Sequence, residues 1–177
     1  MTQLDPIITE ITAAVELGRG GHRAGARERL IAVWERLGPD GDPLHRVSCA
    51  HFLAALQDDV GEERTWDERA LAALGDLTDE RVQQHTAAMQ VRSLMPSLHL
   101  NLADCNRRLG DPTRARESLA EAERSVDALA DDEYGRMLRG GLQHVGDALD
   151  AGSTEALPTA PQLGRPATQQ LLEAVPR

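Results

Sequence analysis

The dipeptide Asp-Pro, at 5–6, 42–43 and 111–112, constrains this chain more than any other feature. An aspartate carboxylate accepts hydrogen bonds from the free amides of a first helical turn. Proline fits the first helical position because an N–H there would have no intrahelical partner. Each Asp-Pro therefore predicts a helix start. Gly18, Gly20 and Gly21, the run from Gly38 to Pro43, and Gly110 predict the stops.

Between these marks apolar residues recur at helical spacing. The first helix carries Ile7, Ile8, Ile11, Ala14, Val15 and Leu17. A second, from about His22 to Leu37, carries Ala26, Leu30, Val33, Trp34 and Leu37. The third runs from Pro43 through Leu56 with Leu44, Val47, Ala50, Leu53 and Ala54 inward and Phe52 beside them. A turn at Asp58 to Gly61 leads to a fourth, with Trp66, Ala70, Leu71 and Leu74 inward. Thr78 or Asp79 caps the next helical stretch. From Glu80 to Leu109 two readings stand: a short extra helix ending near Arg92, or one long helix kinked at Pro96. The break is preferred, with Ser93 as cap and Pro96 in a new first turn, followed by a stripe of Leu98, Leu102, Ala103, Cys105 and Leu109. Another helix to about Leu129 carries Ala115, Leu119, Ala122 and Val126. The last, from about Asp132 to Leu149, carries Met137, Leu138, Leu142, Val145 and Leu149. Aromatic residues make up 2% and β-branched residues are few, so the fold class is all-α. Residues 1–150 form one helical domain. Residues 151–177, with Pro158, Pro161, Pro166 and Pro176, read as a flexible Pro-rich tail in which Thr168 to Val175 could form a brief helix.

All 19 basic residues are arginine, and the net charge is -10. The absence of lysine excludes a Schiff-base or phosphate-loop lysine. The acidic balance argues against nucleic acid and against a polybasic membrane anchor. No apolar run approaches the roughly 20 residues of a membrane span. The first residues lack a basic region and carry Asp5, Glu10 and Glu16, unlike a signal peptide. A cytoplasmic location is expected, with Cys49 and Cys105 reduced. The Arg-for-Lys usage with abundant Ala, Gly and Pro suggests a high-GC bacterial genome.

Short helices in pairs call for a repeat search. In the segment from Leu98 to Ala122, Leu102-Ala103, Asn106, Gly110, Ala115, Leu119 and Ala122 resemble the tetratricopeptide repeat, with His99 where that family has Trp and Asn106 where it has Tyr. Ala13-Ala14, Leu17, Gly21, Ala26, Leu30 and Val33 repeat the offsets, closed by Pro39. In the middle pair, Ala50-His51 and Ala54 suit the first helix, but Glu63 and Asp67 stand in the apolar places of the second. Gly21 and Gly110 lie 89 positions apart. Two repeats span about 68, and the segment from Glu80 to Arg92 supplies the surplus helix. The resemblance implies three degenerate repeats over about Asp5 to Leu129, an antiparallel helical hairpin array with the last helix as a solvent cap. The chain also resembles small actinobacterial proteins of this repeat class, a likeness that carries no activity.

Candidate chemistry is sparse. The histidines are His22, His45, His51, His85, His99 and His144. His45 and Cys49 share a helical face, but zinc needs four convergent ligands and no second close pair exists. Cys49 and Cys105 sit among apolar neighbours, unlike reactive thiols. Acidic runs cluster at turns and helix starts, where they favour the helix dipole. No catalytic residue, metal site or cofactor is therefore expected. The resemblance implies a concave face built by the first helix of each pair, including Val15, Arg19, His45, Ser48, Phe52, Leu56, Ser97, Asn101, Asp104 and Arg108. Exposed Phe52 and Leu56 would give it apolar character suited to a peptide or helix. The other reading makes both residues core against the extra helix. The family's carboxylate clamp uses Lys and Asn; here Lys is absent and Thr12, Val15 and Phe52 hold clamp-like places. The expected function is a non-catalytic adaptor binding a protein or peptide segment. The alternative is a peptide or ligand sensor that regulates a partner in trans.

Overall fold

The structure, a computed structural model, describes residues 5–85 and 91–158. Among them are eight α-helices, two short 3₁₀ turns and no strand: α1 (Pro6–Arg19), α2 (Arg23–Leu37), α3 (Pro43–Ala55), α4 (Val60–Leu74), α5 (Asp79–His85), α6 (Met95–Arg108), α7 (Pro112–Arg124) and α8 (Glu133–Asp150). The all-α expectation holds. Among the described residues no helix is long and apolar enough to cross a membrane.

The three Asp-Pro pairs act as their chemistry predicts. Asp5 accepts from the amides of Ile7 and Ile8 at 3.0 and 3.2 Å, and Asp42 from those of Leu44 and His45 at 2.9 and 3.3 Å. Asp111 accepts from Arg114 N at 3.0 Å. Asp59 and Asp132 cap α4 and α8 in the same way, through the amides of Glu62 and Gly135. Such a cap stabilises a helix by about 1 kcal/mol. Thr78 rather than Asp79 caps α5, its hydroxyl accepting from Arg81 N at 3.2 Å.

The break before Pro96 holds, with Pro96 at the second position of α6. Its flanking residue is Leu94, which has no capping side chain; Ser93 lies instead in the 3₁₀ turn Val91–Ser93. The helix expected to reach Leu129 ends at Arg124, and a 3₁₀ turn, Val126–Ala128, completes the segment. Leu109 is 42% exposed rather than on the core stripe. It comes directly after the last residue of α6, where the chain turns outward through Gly110.

α1 with α2, α3 with α4, and α6 with α7 pair as hairpins. α1 and α2 also lie against α3, α4 lies against α6, and α8 covers α6 and α7. Two turns between paired helices use one device. Gly21 (φ +92) and Gly110 (φ +77) adopt left-handed backbone. Behind them His22 N donates to Leu17 O at 3.1 Å, and Asp111 N to Asn106 O at 2.9 Å. These bonds satisfy last-turn carbonyls that would otherwise have no partner. The core has two parts, a larger one from α1 to α5 with the start of α6, and a smaller one from α6, α7 and α8. Trp34 and Trp66 meet edge to face at 5.4 Å, with Arg46 and Arg69 stacked over them.

Residues 151–158, expected as the start of the tail, are held against the helices. Gly152 turns the chain (φ +65), and Ser153 N donates to Ala148 O at 2.9 Å. Buried Arg107 then donates to the carbonyls of Ser153 and Glu155 at 2.7 and 2.8 Å, while Leu157 packs on the smaller core. A guanidinium fixes this strap where composition alone suggested none. The remainder of the expected tail, including the helix at 168–175, lies outside the described residues. Arg107→Met is predicted to speed amide hydrogen exchange at Ser153 by roughly tenfold or more. Exchange in the middle of α3 should stay unchanged.

Candidate functional site

The structure divides the expected concave-face residues among three places. Arg19, Phe52 and Leu56 meet at the first, a cleft of ≈ 50 Å³ between the C-terminal ends of α1 and α3, completed by Val15, Gly18, Arg23 and Ala55. Phe52 and Leu56 are 5% and 8% exposed, so the exposure expected of them is not found. The covering element is α1 rather than the extra helix: a Cβ placed on Gly18 would lie 3.1 Å from Leu56 Cδ2 and 3.2 Å from Ala26 Cβ. Glycine lets α1 approach close enough to bury the leucine. Arg19 pairs with Glu16 at 2.6 Å, and Arg23 reaches across to Asp58 at 3.5 Å.

His45 belongs to a second place, at the opposite end of the same helices. Its Nε2 lies 2.7 Å from Asp5 Oδ2. Arg81 of α5 donates to Asp42 at 2.6 Å and to Asp5 at 3.5 Å. The two carboxylates that cap α1 and α3 thus also tie down α5. Burial raises the pKa of Asp5, but the His45 contact and the Ile8 and Ile7 amides outweigh it, leaving a net depression. Asp42 is depressed likewise: burial opposes, while Arg81 and His45 prevail. The shared face of His45 and Cys49 comes to nothing as a ligand pair. Cys49 turns away, its thiol donating to Leu30 O at 3.1 Å, and burial pushes its pKa up to about 12. Ser48 and Ser97 are buried and donate to the backbone of their own segments, at Leu44 O and Leu94 O.

Asn101, Asp104 and Arg108 come together at the third place, a polar layer between α4 and α6. Asp104 binds two arginines: Arg107 Nη2 lies 2.7 Å from one carboxylate oxygen and Arg108 Nε 2.8 Å from the other. Arg108 continues to Glu63 at 2.7 Å. Next to it, Asp67 is fully buried, accepting from Asn101 Nδ2 at 3.4 Å, with Cys105 Sγ at 4.0 Å and His51 Nδ1 at 3.9 Å. Sequence reasoning about the groove missed Glu63, Asp67 and Arg81, and Arg107, expected with Arg19 and Arg108 to serve any anion recognition there, is instead turned inward onto Asp104 and the carbonyls after α8. For Glu63 and Asp67 the signal was present, since they stand where the repeat pattern wants apolar side chains.

Glu63, Asp67 and Cys105 each offer a ligand atom within 4.8 Å of the others. The positive charge there is already supplied by Arg108, which pairs with Glu63 and lies 3.6 Å from Cys105 Sγ. Burial, then Asp67 and Glu63, push the Cys105 thiol far up, which favours its protonated form in this arrangement. Burial, then Glu63, raise Asp67 well above the usual carboxylate range. The layer therefore holds protons and ion pairs in fixed places. No family model, curated protein or solved structure matches this chain.

These shifts predict two stability measurements. Folded Asp67 keeps a proton that the unfolded chain releases, so its contribution to stability falls as pH rises above the unfolded pKa. Asp67→Asn should raise the unfolding free energy measured by urea titration near pH 8, by on the order of 1 kcal/mol for each unit of pKa elevation. The gain should vanish near about pH 3, where both states are protonated. Asp5 and Asp42 have the opposite sign: their contribution is present above the unfolded pKa and lost as pH falls through the depressed one. Arg81→Met should therefore lower the melting temperature at neutral pH by a few degrees, a loss of about 1 kcal/mol. That difference should shrink on acidification.

Proposed function

We propose that this chain is a degenerate tetratricopeptide-like array that acts without catalysis, holding a segment of a partner protein against its first helices. The observation that carries the reading is the cleft between α1 and α3, the first helices of consecutive hairpins. Val15, Phe52 and Leu56 give it apolar walls, and Arg19 and Arg23 stand at its edge. At ≈ 50 Å³ it takes the tip of one apolar side chain. Small-molecule sites run to about 300–1,000 Å³.

The repeat reading is supported by the matched turns at Gly21 and Gly110 and by the positions buried at the same 89-residue offset. Ile11 and Leu100, Ala14 and Ala103, Ala26 and Ala115, and Leu30 and Leu119 are all buried. The absence of catalysis is supported by where the proton-holding groups lie. Asp67, Cys49, Cys105 and Tyr134 have raised pKa values because they are buried, and none faces the cleft. The partner contact is narrower than the full concave face. His45, Ser48, Ser97, Asn101, Asp104 and Arg108 are engaged internally, which leaves α1 and the end of α3 as the accessible stretch.

The test is crosslinked capture from the native host. Arg19→Glu with Arg23→Glu, both on exposed residues, should remove a specific partner while leaving the melting temperature within about 2 °C of wild type. Retention of every partner by this double variant would refute the cleft. Phe52→Ala is the poorer probe, because truncating a buried aromatic costs about 3–5 kcal/mol of stability.

A further inference from the structure

A second surface feature lies on helices that the α1–α3 cleft does not involve. Between α7 and α8 runs an open groove of ≈ 440 Å³. Leu142 and half-buried Val126 form its apolar floor, and Glu123, Asp147 and Asp150 stand along it. Its depth comes from Gly146. A Cβ there would find only Leu119 Cδ2, at an ordinary 3.7 Å, so the helix pair leaves room for a side chain that the sequence does not provide.

The electrostatics of the groove are one-sided. The one cation among its lining residues, Arg139, turns its guanidinium to the carbonyls of Leu129 and Ala130 at 3.1 and 3.4 Å, closing the turn before α8. Asp150 shares Arg116 at 3.0 Å, whereas Glu123 and Asp147 form no ion pair among the described residues. An apolar floor beside Glu123 and Asp147, which form no ion pair among the described residues, suits a ligand that brings both an apolar side chain and positive charge. A second copy of this chain, with its net charge of -10, is a poor match.

We propose that the α7–α8 groove docks a basic amphipathic segment of a partner protein. A large apolar side chain of that segment seats over Gly146 between Val126 and Leu142, and its arginines or lysines lie on Glu123 and Asp147. This surface is independent of the α1–α3 cleft, whose edge carries arginine and favours the opposite charge.

Fluorescence anisotropy with the full-length protein tests the assignment. The probe is a labelled helical peptide with leucines at i, i+3, i+4 and i+7 and arginines elsewhere; the control peptide carries glutamate in place of arginine. The arginine peptide should bind at low salt and the glutamate peptide should not. Gly146→Leu, which fills the groove, and Asp147→Arg should each weaken binding by roughly tenfold. Asp76→Arg, an exposed charge change beyond α4, should weaken it less than about twofold. Equal losses for Asp76→Arg and Asp147→Arg would reduce the effect to net charge and overturn the assignment. Unchanged binding by Gly146→Leu would do the same. Tighter peptide binding on changing Arg165 and Arg177 to Glu would assign the groove to the chain's own C-terminal segment instead. A dimer in sedimentation that is lost with Gly146→Leu would assign it to a second copy.

Discussion

The ion pairs of Asp104 with Arg107 and Arg108 set the terms for the rest of the structure. α6 is buried on almost every side, so its polar residues must find partners within the fold. One carboxylate binds two guanidiniums, and each guanidinium then reaches a different neighbour. Arg108 goes to Glu63 on α4, and Arg107 goes to the carbonyls after α8. Removing any one member would leave a buried charge unmatched, which is far costlier than the net contribution of the pairs. The arrangement therefore fixes how α4, α6 and the strap sit together more than it adds stability. Its charge count also bears on Asp67. Two carboxylates, Asp104 and Glu63, take up the two guanidiniums, and for the third carboxyl burial, then Glu63, outweigh Asn101 and Arg108 and raise its pKa.

The same economy operates at the other end of the helices. Asp5 and Asp42 each use one oxygen on the amides of their own helix and the other on His45 or Arg81. A residue chosen for a local task, capping, thereby becomes the anchor for a distant one, the seven-residue α5. So short a helix is not stable by its own hydrogen bonds. Val82 supplies its buried apolar contact, Arg81 its ionic one, and Asp79 accepts from Val91 N at 2.8 Å to tie down the chain beyond it.

Local chemistry was legible in the sequence; side-chain partnerships across helices were not. Asp-Pro at 5, 42 and 111 predicted three helix starts because capping involves residues two or three apart. Gly21 and Gly110 predicted turns because left-handed backbone is a property of single residues. The groove residues fared differently. Mapping His45, Phe52, Asn101 and Asp104 onto one concave face assumed that first helices present that face to solvent. Arg81, Gly18 and Arg107, from elsewhere in the chain, close parts of it. Nothing in their spacing announces this. Gly18 sits in a run of glycines that also signals a helix stop, and a pair of adjacent arginines at 107–108 looks like a surface. Glu63 and Asp67 were the readable exception, because an acidic residue where a pattern wants alanine or a large apolar group needs a partner to be buried at all.

The lack of lysine has its physical meaning here. Arg107 donates from Nε and Nη2 to Asp104, from Nη1 to Ser153 O and from Nη2 to Glu155 O. That is a planar fork reaching three acceptors in different directions from inside the protein. An ammonium concentrates its three donors at one atom and is more strongly hydrated, so it could neither span these acceptors nor leave water as cheaply. Arg46 and Arg69 make the same point on Trp34 and Trp66, where a flat cation stacks on an indole. Arg46 additionally donates to Gly38 O at the end of α2. Arginine usage that composition alone ascribes to the genome is, at these positions, a requirement of the packing. At Arg108, the middle of the Asp104–Glu63 bridge, a change to lysine would keep the charge and lose the geometry.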